Sequence, residues 1–462
     1  MFVGRTQELK QLEEAYRQER NAAVVLYGRY GIGKTETAAL FAKDKPTFVY
    51  LARELSEQEQ RYCFAKELGV PVNDEVPDFY ESLKLSVANR EDKSKKALII
   101  IDEFHFMIKT SDAFKVAFLK ILMEEQCMFL FISSSVNWVE NSMVEDFGPA
   151  ARALYGTVKL KEFSFLELVK RFPDMSVEKT IYANAVLGGV PEYLNYWNEK
   201  SSIKENIQRI FFRKDSPLLY GTEIFLKKEL RELGAYNAIL TAMAAGKNKL
   251  NDIYARTGFS RAKISVYIKN LIELDVVEKV FSFDASESAD LVHANVQKGL
   301  YRIKDNYLRF WYRYVFPNLS AVLMGQGDLV YEKEVAKDFA SYMQESFTNV
   351  CGEYLKLMNQ YGRLASQYEN WGTWYGKTGL IDVVAGNEAG AILAGFCRFD
   401  SKMMTVKDFS QYKELLELAM LTPKELYLFS KAGFTEELRE RAEAGSKDLE
   451  NCKIILVGLE DL

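Results

Sequence analysis

Apolar residues in this chain fall into two patterns. Uninterrupted runs of strand length occur at AAVV (22–25), TFVYL (47–51), ALIII (97–101) and MFLFI (128–132). Between them lie stretches of helix formers such as KTETAAL (34–40). Runs of four to eight apolar residues fit strands buried on both faces, and their alternation with helices predicts a parallel sheet covered on both sides. Farther along, Ile264, Tyr267, Ile268 and Leu271 recur with helical period, and Leu250, Ile253 and Tyr254 are expected on one face of a shorter helix. GTWYGKTGLIDVVAG (372–386) alternates like a hairpin and AILAGFCRF (391–399) like a further strand. The chain is therefore expected to be a multidomain α/β protein.

Composition narrows this only a little. A length of 462 residues exceeds one hydrophobic core, so roughly three domains are expected. The chain is 48% hydrophobic and 27% charged with net charge −5, which gives no overall attraction to nucleic acid or anionic membrane. The apolar runs are far shorter than the ~20 residues that span a bilayer, and MFVGRTQELK lacks an apolar signal core. Cys63, Cys127, Cys351, Cys397 and Cys452 form no CxxC pair and read as buried small hydrophobes in a reducing compartment. With His105 and His293 as the only histidines, a histidine-built zinc site is not expected. The cytoplasm is the expected location, with no membrane partner.

The first apolar run feeds LYGRYGIGKTETAAL (26–40). Gly28-x-x-x-x-Gly33-Lys34-Thr35 is a Walker A pattern, and its residue types match phosphate chemistry. Glycines let backbone N–H groups curl toward phosphate oxygens, and the helix that follows adds its positive end. The expected nucleotide contacts run through Gly28, Arg29, Tyr30, Gly31, Ile32, Gly33, Lys34, Thr35 and Glu36. Lys34 would reach the β- and γ-phosphates, and the Thr35 hydroxyl would ligate Mg²⁺. ALIIIDEFHFM (97–107) supplies a Walker B pattern: Asp102 would hold the same Mg²⁺, and Glu103 would orient or deprotonate a water. CMFLFISSS (127–135) ends in serines, of which Ser133 and Ser134 are candidates to sense the γ-phosphate. ATP and Mg²⁺ are thus the expected ligands.

Several of these stretches together resemble the archaeal-type P-loop ATPases, a family related to the AAA+ and STAND classes. The resemblance rests on FVGRTQELKQLEEAY (2–16), on the two Walker elements and on LGGVPEYLNYW (187–197), and it extends over nearly the whole chain. It implies a P-loop core at 1–165, a helical lid at 166–225 and two further regions at 226–318 and 319–462. It also implies an arginine that stabilises transferred charge, with Arg152 as the first candidate and Arg171 as the reserve. Such relatives admit a homo-oligomer.

Residues 246–270 carry six Lys/Arg and one Asp, a local excess of five positive charges in an acidic chain. Two helical stretches around Thr257-Gly258-Phe259-Ser260, followed by VVEKVFSF (276–283), a polar loop and GLYRIKD (299–305), read as a winged helix-turn-helix. Arg261, Lys263, Ser265 and Lys269 are expected on the open face of its second helix, with double-stranded DNA as partner. The competing reading is a packing module with a solvated charged face.

The resemblance further implies that 319–462 has an α/β restriction-endonuclease-like fold of the PD-(D/E)xK type. On that pattern the helix acid falls at Thr348, the hairpin aspartate at Asp382, and the E-x-K strand at Phe396 and Arg398. One carboxylate cannot gather a catalytic Mg²⁺, so no nuclease activity is expected. Two functional readings follow: an ATPase or ATP-driven switch, or a DNA-binding regulator that binds ATP with little turnover.

Overall fold

A computed structural model describes residues 3–72, 75–283, 299–376, 379–443 and 452–462. Two compact units are distinguished, residues 1–162 with 190–192, and residues 163–189 with 193–462.

The first unit is built on five strands: β1 (Ala22–Tyr27), β2 (Thr47–Leu51), β3 (Ala97–Asp102), β4 (Cys127–Ser133) and β5 (Gly156–Lys159). All pairings are parallel, in the order β2-β3-β4-β1-β5. Every residue of β1 and β4 is buried, as befits central strands covered on both faces. Helices Glu57–Glu67, Phe79–Ala88 and Asp112–Glu124 cover one face through a mostly edge-to-face cluster of Phe64, Phe79, Phe114, Phe118, Phe129 and Phe131. The order has one consequence for chemistry. β4 stands between β1 and β3, so the glycine loop after β1 and the acidic tip of β3 flank a gap the width of one strand.

In the second unit, helices Phe165–Arg171, Val177–Leu187, Ile203–Phe211 and Gly221–Glu229 precede Leu233–Ala244. Helices Leu250–Thr257 and Arg261–Glu273 then meet at Gly258, whose φ of +72° makes the reversal, with Ser260 capping the second helix through Lys263 N–H. Strands β6 (Val277–Val280) and β7 (Leu300–Ile303) pair antiparallel; the loop joining them and His293 lie outside the described residues. Tyr254 does not join Ile253 in the core: it is 42% exposed and carries the Arg261 guanidinium over its ring at 4.8 Å.

A second sheet has the order β12-β11-β10-β9-β8, from β8 (Asn370–Tyr375), β9 (Leu380–Gly386), β10 (Ile392–Arg398), β11 (Glu425–Ser430) and β12 (Lys453–Val457). β8, β9 and β10 pair antiparallel, and β10, β11 and β12 pair parallel. Helix Ala336–Gln360 packs on one face, where a methyl at Gly395 would meet Leu355 at 3.7 Å. Helix Val406–Leu418 packs on the other through Phe409 and Leu416. The β8–β9 register shifts between Gly372 and Trp374, an irregularity that decides which residues share a face with Asp382. No helix among the described residues is long and apolar enough to cross a membrane.

Candidate functional site

The site of the first unit lies at the C-terminal ends of β1, β3 and β4, the edge where parallel sheets present ligand-binding loops. β1 ends at Tyr27, and the chain turns through Gly31 (φ +77°) and Gly33 (φ +90°) into helix Lys34–Ala42. Those φ values suit glycine and strain other residues. Lys34 is buried, and its Nζ donates to Gly28 O at 2.9 Å and to Arg29 O at 3.1 Å. Its positive charge is thereby held at the loop, where it would balance an anion.

Thr35 Oγ1 donates to Asp102 Oδ2 at 3.2 Å, across 67 positions of sequence. Asp102 Oδ1 accepts the backbone N–H of Glu103 at 2.9 Å. Burial, and then the adjacent Glu103 carboxylate, push the Asp102 carboxyl above its ordinary range. A half-buried carboxylate with a hydroxyl beside it and a second carboxylate next to it is a donor set that a hard divalent cation would relieve. The residues therefore fit Mg²⁺, which Thr35 and Asp102 would hold.

Glu103 adopts φ +50°, a left-handed conformation uncommon for a side-chain-bearing residue. Its Oε2 accepts the backbone N–H of Ser134 at 3.0 Å and lies 3.3 Å from His105 Nδ1. Ser133 Oγ also approaches Nδ1, at 3.2 Å, and accepts Ser135 N–H at 3.2 Å. Burial lowers the affinity of His105 for a second proton, so the ring is neutral at neutral pH. A carboxylate can only accept, so the tautomer that fits carries its proton on Nδ1, toward Glu103.

The expected site residues thus divide. Lys34, Thr35, Asp102 and Glu103 converge, and the Ser133–Ser134 strand end joins them through Ser133 Oγ and Ser134 N–H. Arg29 turns to Glu162 instead, Nη1 to Oε1 2.7 Å, while Ile32 is fully buried and Tyr30 is 43% exposed. Gly28, Gly31 and Gly33 contribute backbone, and Glu36 lies exposed in the first turn of the helix. Arg152 does not reach the site of its own chain. It precedes β5, and Tyr155 N–H bonds to Ala23 O at the start of β1, so Arg152 sits at the opposite end of the sheet. Arg171, in the second unit, donates to Asn195 Oδ1 at 3.3 Å.

Two contacts escaped the sequence. Glu192 N–H donates to Gly31 O at 3.2 Å, and a methyl at Gly31 would lie 2.3 Å from Glu192 Oε2. Pro191 Cγ would lie 3.9 Å from a methyl at Gly33. The segment 190–192 therefore lies against the glycine loop; the glycine-proline turn was visible, this long-range contact was not. The second contact is Arg5, buried with φ +64°, which donates to Ile32 O at 2.9 Å and Lys161 O at 2.7 Å. It braces the loop from behind.

In the second unit, Arg261 Nε donates to Asn251 Oδ1 at 2.9 Å, Lys263 lies over Phe259 at 4.8 Å, and Lys269 pairs with Glu273 at 3.7 Å. Asp382 Oδ1 accepts the Thr348 hydroxyl at 3.1 Å, and Oδ2 accepts Cys397 N–H at 2.9 Å. Its carboxyl is buried and pushed up to about 6 by that burial. Phe396 and Arg398 do not share its face, contrary to the expected pattern. Phe396 stacks on Tyr412 of helix Val406–Leu418 at 4.1 Å, and Arg398 pairs with Asp400 and Asp408. Asp382 faces helix Ala336–Gln360 instead, because the register irregularity beside it turns the strand. Glu353 is engaged elsewhere on that helix, its Oε2 accepting Phe165 N–H at 2.8 Å. Among the described residues, no group of three or more His, Cys, Asp or Glu side chains is placed to hold a metal.

The parallel sheet, the glycine loop and the helix behind it define a P-loop NTPase-like fold. A family of archaeal and bacterial proteins of unknown function matches residues 311–410. The chain is 28% identical over 392 residues to the uncharacterized protein MJECL04 of Methanocaldococcus jannaschii, covering 84% of this chain and 85% of that one. Among solved structures it is similar to a Walker-type ATPase of Pyrococcus abyssi, with 15% identity, 68% and 96% coverage and a TM-score of 0.48. It is also similar to the ORC2 protein of Aeropyrum pernix, with 15% identity, 70% and 94% coverage and a TM-score of 0.45.

Proposed function

We propose that this protein binds Mg-ATP in the loop at residues 28–36 and hydrolyses it, using the cycle as a switch. The observation that carries the reading is the Thr35–Asp102 contact, which joins the two Walker elements at one point beside Lys34. Lys34 balances phosphate charge with its ammonium group. Thr35 and Asp102 would hold Mg²⁺, which would supply neutralisation of phosphate charge. Glu103, held through Oε2, keeps Oε1 for a water; it takes the water's proton as the oxygen attacks the γ-phosphorus and the bond to the β-phosphate oxygen breaks. ADP and phosphate are the products.

The division into a core (1–165), a lid (166–225), a winged helix-turn-helix (226–318) and a degenerate nuclease-like tail (319–462) belongs to the same proposal. The helix pair at 250–273 with the β6–β7 ribbon supports the winged helix, whose Arg261, Lys263 and Lys269 would meet duplex DNA phosphates. The mixed five-stranded sheet supports the tail's likeness to a nuclease fold, and the surroundings of Asp382 support a binding or packing role for it. A slow-turnover regulator is the second reading, favoured by Lys34, whose ammonium is tied to two loop carbonyls. Measuring phosphate release with and without duplex DNA tests both. Turnover abolished by Glu103→Gln supports the first, and ATP retained with negligible release in the unmutated chain supports the second.

A further inference from the structure

The second unit contains a cleft of about 220 Å³ whose wall includes Arg302, Arg309, Arg313, Glu345, Asn248 and Ser341. Three guanidinium groups and one carboxylate line it, and Glu278 and Asp338 pair with two of the guanidiniums from beyond the lining, so an anion would enter by exchange with a paired carboxylate and not by meeting unbalanced charge. Each guanidinium is already oriented. Arg302 Nε bonds to Glu278 Oε1 at 2.5 Å across the β6–β7 ribbon. Arg313 is tied to Asp338, with Nε to Oδ2 2.7 Å, and its Nη1 donates to Ala244 O at 2.9 Å. Arg309 is buried over the Tyr342 ring at 4.6 Å, donates to Ser346, and meets Glu345 at 2.7 Å.

Placing Arg309 and Arg313 four apart on one helix sets like charges side by side, which works against the helix. Trp311–Val315 between and around them is a π-helical turn, a local irregularity that is rare in helices and frequent at functional sites. Guanidinium forks match the planar or tetrahedral oxygens of carboxylates and phosphates, and forks held by fixed partners bind with little reorganisation. The volume suits an occupant of roughly seven water molecules, well below most cofactor sites. We propose that this cleft binds a small oxyanion, a phosphate monoester or a carboxylate of similar size, in which the ligand replaces Glu345 as the counter-charge of Arg309. Such a site stands apart from the glycine loop and does not depend on the nucleotide reading.

The test is titration calorimetry of inorganic phosphate and of glycerol 3-phosphate into the full chain carrying Lys34→Ala, which removes the loop lysine as a competing phosphate contact. Binding is expected. Arg302→Ala weakens it about tenfold, the worth of one charge-assisted contact. Glu345→Gln, which removes the competing carboxylate, tightens it about threefold. A merely structural ion-pair role would not make the second change favourable. Absence of heat with both probes, or heats unchanged in both variants, overturns the proposal. So does Arg302-dependent binding of a short duplex DNA without binding of either small anion, which would assign the arginines to a nucleic-acid backbone.

Discussion

Glu103 Oε2 accepts the backbone N–H of Ser134 at 3.0 Å, so the acid that ends one strand is held by the strand beside it. His105 holds the same oxygen from the other side at 3.3 Å. Glu103 is therefore aimed, in a left-handed backbone conformation that only its surroundings maintain. Glu103→Gln should keep ATP bound while lowering turnover by about two to four decades. His105→Ala should leave binding unchanged and lower turnover about ten- to a hundredfold through misplacement of Glu103. Equal turnover in His105→Ala and the unmutated chain would show that the ring has no positioning role.

Gly31 and Glu192 define a second test. Alanine at residue 31 must adopt φ +77° and meet Glu192 Oε2 at 2.3 Å, so Gly31→Ala should abolish nucleotide binding. Adding Glu192→Ala removes the carboxylate at 2.3 Å but leaves its Cβ at 3.0 Å and the backbone strain, and should restore part of the affinity. A double variant no better than Gly31→Ala would mean that the turn at 190–192 does not shape the loop.

The buried Asp382 makes stability depend on pH. Burial raises its carboxyl to about 6, against an ordinary value near 4 in the unfolded chain. The folded state thus holds this proton more tightly. The resulting stabilisation is complete below about pH 4 and is lost as pH rises through about 6. Asp382→Asn has no such proton to lose. Thermal melts should run parallel for the variant and the unmutated chain below about pH 4 and above about pH 7 and diverge between, leaving the variant more stable at the upper end by up to about 2–3 kcal/mol. Parallel curves from pH 4 to 7 would contradict this.

The basic helix gives a graded expectation. Lys263 and Lys269 are exposed, whereas Arg261 is tied to Asn251 and Tyr254. Lys263→Ala with Lys269→Ala should weaken duplex binding and reduce its salt slope by about two. Unchanged affinity would leave the helix pair as a packing module.

Much of the first unit was legible because its signals are local. TFVYL forms β2, ALIII begins β3 and MFLFI lies inside β4, since continuous apolar runs have few other places to go. The Walker residues converge because strand order, not sequence distance, brings Thr35 to Asp102. What the sequence hid is long-range or depends on register. Nothing local reports that Glu192 docks on Gly31, or that Arg152 falls at the wrong end of β5. Phe396 and Arg398 were set beside Asp382 only by the family resemblance, and the register irregularity opposite Gly372 and Trp374 puts them on the other face of the sheet.

The account rests on the glycine loop as a nucleotide site. Titrating Mg-ATP into the unmutated chain, followed by calorimetry, tests this most directly. The expected result is saturable heat near one nucleotide per chain, lost in Lys34→Ala and reduced in Thr35→Ala. No heat of association with the unmutated chain would contradict it.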